Sequence, residues 1–237
     1  MKILITNDDG YSAPGLVALA KILHQQHEIF VIAPSSNQSG ISQAMSAQHK
    51  LQFIKQIQYE YACFSVTGTP SDCVRLGIPI LKQKYNFQPQ LVISGINNGA
   101  NQGRDLHYSG TFGGAREAII QGYPAISMSF KHYNLTVEQL MEHCSKYLSL
   151  IVNKALEITS LSHVVNVNFT TNMIGIKVCE MEKEIIWQLS SQIETNLAQH
   201  VIQRHGFQSY KQGLDFELLV NGYATVSYVS ASLKCEC

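Results

Sequence analysis

The chain has 237 residues, 45% of them hydrophobic and 14% charged, and its 17 basic and 17 acidic side chains balance to a formal net charge of zero. That balance argues against a broad nucleic-acid surface. No apolar run approaches the roughly 20 residues of a membrane span, and a start that turns acidic at position 8 does not read as a signal peptide, so a cytoplasmic protein is expected. The length suits one large domain, or a domain with an appendage.

Lys2 to Thr6 is a short apolar run and reads as a buried strand. Asn7, Asp8, Asp9 and Gly10 follow at once. All four are turn formers. Two adjacent carboxylates at the end of a buried strand are nonetheless costly unless something positive sits beside them. Pro14 suits the first turn of a helix, which Leu16, Leu19, Ala20 and Leu23 carry to about Gln26. Glu28 to Ala33 is a second buried strand, and the β-α-β unit implies parallel pairing. The polar loop from Pro34 to Gly40, which contains Ser39, therefore falls at the same carboxyl edge as Asp8 and Asp9. Open α/β sheets bind their ligands at that edge.

Residues 50–67 hold two strand-like runs, Leu51–Ile54 and Tyr61–Val66, read as a hairpin-like insertion. Ser71 or Asp72 is expected to cap a helix through Cys73, Val74, Leu76 and Ile80. Leu91–Ser94 is a further strand. Residues 95–114 then carry six glycines and three asparagines with almost no aliphatic bulk, the pattern of a functional loop. Its last part, Ser109-Gly110-Thr111, opens a helix from Phe112 to Gln121. A small-residue helix start offers free backbone N–H groups and the positive end of the dipole to a phosphate. A strand at Pro124–Phe130, a long helix at Val137–Thr159 and a strand at His163–Phe169 complete a core over 1–169. Beyond 170, Ile174–Val178, Glu184–Leu189 and Asn221–Tyr228 read as strands and Gln192–Gln208 is ambiguous, which makes 170–237 a smaller β-rich appendage for packing or subunit contacts. Cys63, Cys73, Cys144 and Cys179 lie in apolar surroundings and read as free thiols, and Cys235-Glu236-Cys237 as a frayed tail.

Asp8, Asp9, Ser39, Asn97 and the helix start at 109–111 gather at one edge. Carboxylates, a hydroxyl and an amide oxygen form an all-oxygen ligand set, which suits Mg²⁺ or Mn²⁺ rather than a soft metal. The reaction class that follows is metal-assisted hydrolysis of a phosphate monoester by a metal-bound water, with Asp8 and Asp9 as its catalytic residues. His107, Arg104, Arg116 and Tyr108 are weaker candidates, because loop residues of these kinds are commonly exposed.

These stretches also resemble the SurE (survival protein E) family of metal-dependent phosphatases and nucleotidases. The matching segments are ILITNDDG with Pro14-Gly15, Ala33-Pro34 with Ser39, TGTPSDCV at 67–74 and SGINNGANQGRDLHYSGT at 94–111. The resemblance implies a Rossmann-like α/β core with a mostly parallel sheet and helices on both faces. It also implies one divalent metal per subunit, hydrolysis of nucleoside 5′- and 3′-monophosphates, in some members of polyphosphate, and a homodimer or homotetramer. It assigns metal binding to Asp8, Asp9, Ser39 and Asn97, and phosphate binding to Ser109, Gly110 and Thr111. Asn101 and Asp105 match positions of the same substrate loop. The second half departs from the family pattern: Thr170 stands where a proline is usual, and residues 180–212 are short and weakly matched.

Two other readings compete. A covalent phosphatase of the haloacid-dehalogenase type needs Asp-x-Asp after the first strand, and that register gives Asn7 and Asp9. A non-catalytic, Mg²⁺-dependent phosphate- or nucleotide-sensing module of the receiver type needs an acceptor Asp after the third strand, where Asn97 and Asn98 stand.

Overall fold

A computed structural model describes residues 1–132, 134–183, 187–189, 202–204 and 211–231. Strand β1 (Lys2–Thr6) leads through the acidic turn to α1 (Pro14–His24), with proline at a first-turn position where a missing N–H costs little. Strand β2 (Glu28–Pro34) follows, then β3 (Phe53–Gln56) and β4 (Ala62–Val66), which pair as an antiparallel hairpin. Helix α2 (Pro70–Tyr85) begins on a capping box. The Thr69 hydroxyl accepts from the Asp72 amide at 3.1 Å, and the Asp72 carboxylate accepts from the Thr69 amide at 2.9 Å. The cap is therefore Thr69, with Asp72 as its partner three residues on. Next come β5 (Leu91–Asn98), a 3₁₀ turn at Gly103–Tyr108, α3 (Gly110–Ile120) and β6 (Ala125–Phe130). The long helix expected to Thr159 divides at Lys154 into α4 (Val137–Asn153) and α5 (Ala155–Ile158). Strands β7 (His163–Phe169), β8 (Gly175–Val178), β9 (Trp187–Leu189) and β10 (Ile202–Arg204), helix α6 (Asp215–Val220) and β11 (Tyr223–Ser230) complete the chain. The rest of the expected 184–189 strand and of the ambiguous 192–208 stretch lies outside the described residues. No helix among the described residues is long and apolar enough to cross a membrane.

Nine strands form one sheet in the order β3-β4-β2-β1-β5-β6-β7-β11-β8. From β4 to β7 every neighbouring pair is parallel. The hairpin strand β3 is antiparallel at one edge, and β11 runs antiparallel to β7 at the other. The segment beyond 170 thus extends the main sheet through β11 and β8, while β9 and β10 form a separate antiparallel pair.

The central strands are apolar on both sides because both faces are covered. Ile3 and Ile5 of β1 and Leu91 and Ile93 of β5 pack with α1 and α4. Leu4 and Val92 point the other way and pack with α2 and α3. The chain winds from β1 outward to β2 and β4, then returns to the other side of β1 and continues through β5, β6 and β7. The winding reverses between β1 and β5, and such a switch point opens a crevice at the carboxyl ends of the strands. Asp8 and Asp9 follow β1 there, and Asn97 lies at the end of β5.

Helix α1 reaches this crevice only because it meets β5 at a glycine. A Cβ on Gly15 would lie 1.9 Å from the Ile96 carbonyl oxygen, a backbone atom that cannot step aside. Gly15→Ala is expected to destabilise the fold by about 1–3 kcal/mol, the usual cost of overpacking, measured as a lowered urea midpoint.

Candidate active site

The acidic turn is locked by its own first residue. The Asn7 side chain donates to the Gly10 carbonyl at 3.0 Å and accepts from the Gly10 amide at 3.2 Å. Gly10 has φ +108°, a value that requires glycine. Two backbone bonds then fasten the turn to the loop after β2: the Tyr11 amide donates to the Pro34 carbonyl at 2.9 Å, and the Gln38 amide to the Asp8 carbonyl at 2.7 Å. The turn statistics of Asn, Asp and Gly and the site reading hold together, because the turn is what presents the two carboxylates.

Asp8 is 3% exposed and Asp9 half-buried. Burial, then the neighbouring Asp9 charge, push the Asp8 carboxyl up to about 6, against the opposing pull of hydrogen bonds from Thr111. Burial also raises Asp9, which accepts from the Asn98 amide at 2.9 Å. Among the described residues no Lys or Arg forms an ion pair with either carboxylate; the three ion pairs involve Glu28, Glu117 and Glu182. The pair therefore carries negative charge that the protein leaves uncompensated.

Helix α3 starts against Asp8. The Thr111 hydroxyl donates to the Asp8 carboxylate, and the Ser109 hydroxyl caps the helix by accepting from the Phe112 amide at 3.1 Å. Gly110 makes the approach possible: a Cβ there would lie 2.9 Å from the Asp8 Cβ and 3.0 Å from its Oδ2. A cavity of about 250 Å³ opens at this junction, lined by Asp8, Ser39, Asn97, Asp105, Tyr108 and Ser109. Asp9 lines a neighbouring cavity, which shares Asn97 and Asn98 with the first. Ser39 is exposed on its loop, whose Asn37 side chain accepts from the Ser39 amide at 2.8 Å. Gly110 and Thr111 lie behind the cavity, buried, with the threonine hydroxyl turned to Asp8.

The remaining candidates divide. Asn101 borders the cavity but acts as a pin: its side chain donates to Ser129 at 2.9 Å, and its carbonyl accepts from Asn166 and Asn168. Asp105 is buried at the cavity wall. Arg104 and His107 are exposed. Arg116 lines neither cavity and donates to the Ala231 carbonyl at 3.4 Å.

Two braces escaped sequence reasoning. The Ser42 amide and hydroxyl donate to the Tyr108 and His107 carbonyls, at 3.0 and 2.7 Å, and join the Ser39 loop to the Ser109 loop. Asp215, 1% exposed, accepts from the Gly103 amide at 3.0 Å and the Glu182 amide at 2.7 Å, and its carbonyl accepts from the Gln102 side chain. It anchors the substrate loop from more than a hundred residues away, and no local pattern around Leu214-Asp215 signals that partner.

The donor set fits a hard divalent cation: two uncompensated carboxylates with a hydroxyl and an amide oxygen beside them. Among the described residues no three His, Cys, Asp or Glu side chains cluster as a metal site, so the set depends on the neutral oxygens of Ser39 and Asn97 as well.

The family model for survival protein SurE matches residues 3–188. The chain belongs to the SurE family. A 5′-nucleotidase SurE of Campylobacter lari is 34% identical over 247 residues, covering 98% of this chain and 93% of that protein. One from Geotalea daltonii is 49% identical over 129 residues, 54% of this chain and 50% of its own. The crystal structure of SurE protein from Aquifex aeolicus superposes with a TM-score of 0.83 at 30% identity, covering 99% of this chain and 95% of that one. A Rossmann-like α/β core is therefore shared across the SurE fold, with the acidic edge of this SurE chain at its switch point.

Removing the Asp215 carboxylate strands three buried amides, those of Gly103, Glu182 and Phe216. Asp215→Ala is expected to cost about 1–3 kcal/mol and to speed hydrogen exchange at the Gly103 amide, with Asp215→Asn falling between it and the parent.

Proposed function

We propose that this chain is a divalent-cation-dependent phosphomonoesterase that hydrolyses nucleoside 5′- and 3′-monophosphates. One observation carries the reading: Asp8 and Asp9 stand uncompensated at the switch point, against the start of a glycine-opened helix. The relatives named 5′-nucleotidase SurE support the substrate class.

Asp8, Asp9, Ser39 and Asn97 would hold the cation, Mg²⁺ or Mn²⁺, one per subunit. Bound there, it supplies positive charge to a phosphate oxygen and acidifies a water. Thr111 fixes the orientation of Asp8 by donating to it, and the Asn98 amide does the same for Asp9. Ser109 holds the start of α3 at the cavity wall, where the positive end of an 11-residue helix favours an anion. The substrate loop, pinned by Asn101 and Asp215, closes the remaining wall. Among the described residues the two cavities are lined by Asp8, Asp9 and Asp105 and by no Lys or Arg, a lining that suits a monophosphate better than a polyphosphate.

Phosphate release from nucleoside 5′- and 3′-monophosphates and from polyphosphate, with Mg²⁺, with Mn²⁺ and with EDTA, tests the reading. Release is expected to need metal. Asp8→Asn is expected to lower kcat by at least about a hundredfold with an unchanged circular dichroism spectrum. Release that persists in EDTA, or in Asp8→Asn, would overturn the assignment. Metal-dependent nucleotide binding without release would favour the sensing module.

Gly110→Ala is a second probe of the same junction. The added methyl must displace Asp8 or the start of α3, so turnover is expected to drop at least about tenfold, with kcat rather than KM carrying the loss.

A further inference from the structure

The loop that carries Ser39 runs from Ser35 to Gln52, between β2 and β3, with no regular strand or helix in it. A loop of that length places a side chain reproducibly only where it is tied down. Its ties fall just after Ser39. The Thr69 hydroxyl donates to the Ala44 carbonyl at 2.7 Å, and the Ser46 amide donates to the Asp72 carboxylate at 3.0 Å, which fastens the loop to α2. The Gln43 side chain reaches α3 instead, where its Nε2 donates to Glu117 Oε2 at 3.1 Å. The loop backbone lies directly on that helix: a Cβ on Gly113 would fall 2.5 Å from the Ser42 carbonyl oxygen and 2.9 Å from Gln43 Cα. Gly113 and Glu117 are spaced to share one face of α3. One bares the backbone for the loop to lie on, and the other holds the loop by a side chain.

Glu117 is 4% exposed and lines neither cavity at the acidic edge. Its Oε1 accepts from Arg75 Nη1 at 3.0 Å and from the Gln121 side chain at 2.8 Å, which leaves Oε2 to Gln43. Only a carboxylate can accept from all three donors at once. The start of the same helix carries Thr111, the donor to Asp8. Asp8 and Ser39, two of the groups that would hold the cation, are thus referenced to one rigid element.

We propose that Glu117 is a positioning residue of the cation site, which sets the place of Ser39 relative to Asp8 by holding Gln43 on α3. The role of Ser39 in this assignment rests on the phosphomonoesterase reading. A hard cation needs its neutral oxygens at fixed distances as well as its carboxylates. Cation affinity therefore depends on a contact between two side chains that do not touch the ion.

Exchanging donor and acceptor tests the assignment. Gln43→Glu sets a second carboxylate against Glu117 and breaks the tie. Gln43→Glu combined with Glu117→Gln restores it in reverse: the amide at 117 donates to the carboxylate at 43, and its carbonyl still accepts from Arg75 and Gln121. Mn²⁺ binding to the full chain is measured by calorimetry without substrate. Hydrogen exchange of the Gln38 amide, which donates to the Asp8 carbonyl, is followed by NMR in EDTA. Gln43→Glu is expected to weaken Mn²⁺ binding about tenfold and to speed Gln38 exchange, and the double variant to return both towards the parent. Added negative charge by itself would strengthen cation binding, so the loss reports position and not charge. Gln43→Ala, which removes the tie and introduces no charge, is expected to weaken binding in the same direction and stands in if the double variant folds poorly. Tyr147→Phe, which removes a hydrogen bond to the Met173 carbonyl, is the control for lost stability alone and is expected to keep the parent's Mn²⁺ affinity. Parental Mn²⁺ affinity and Gln38 exchange in Gln43→Glu and Gln43→Ala would overturn the proposal, as would a folded double variant no better than Gln43→Glu. If the parent binds no Mn²⁺, the cation reading fails by itself, and the exchange rates still decide whether Glu117 sets the loop.

Discussion

Two like charges held side by side at the end of a buried strand are the constraint on which the rest of this structure turns. Among the described residues neither Asp8 nor Asp9 has a cationic partner, and burial makes each harder to ionise. A chain that only needed a turn between β1 and α1 could place uncharged residues here. This one instead spends an asparagine clamp, a left-handed glycine, a threonine hydroxyl and a backbone amide on holding the carboxylates in place. Removing a counter-charge from such a buried pair leaves its repulsion unrelieved, and that is the cost the clamp of hydrogen bonds bears.

The architecture around the pair is a set of loops tied to one another as well as to the core strands, where Asn101 bonds Ser129, Asn166 and Asn168. β1, β2 and β5 bring their loops to one edge because their parallel register leaves every carboxyl end on the same side. Ser42 then joins the second loop to the third, and Asp215 joins the third to the chain's distant second half. Asp72 contributes from below, since the carboxylate that completes the α2 capping box also accepts from the Ser46 amide at 3.0 Å. Glycine-rich loops are entropically expensive to order. Here the ordering comes from these few long-range hydrogen bonds.

Where sequence reasoning succeeded, periodicity or chemistry was local. The unbroken apolar run of β1, the helical spacing of Leu16, Leu19 and Leu23, and the acidic turn each announced themselves within a few residues. Where it fell short, the deciding partner was remote. Gly95 to Asn98 reads as loop by composition, yet β5 continues to Asn98, because Asn97 and Asn98 pair with Ser129 and Phe130 of β6 after a register shift. Helix α2 runs past Pro79 to Tyr85 and stops only at Asn86, in left-handed conformation, where Phe87 buries itself in the core. Of the site, Asp8, Ser39, Asn97 and Ser109 share one cavity as the spacing suggested. Arg116, a plausible phosphate contact in one dimension, points elsewhere in three.

Asn98 divides its duties between two parts of one residue. Its backbone amide serves Asp9, and its side-chain oxygen serves Asn134. Any residue except proline supplies that amide. Substitution at this position can therefore reshape the neighbouring cavity without removing the hydrogen bond to the carboxylate. The constraint on the acidic edge and the shape of the space beside it are thus set by different atoms of one residue, and either can change without the other.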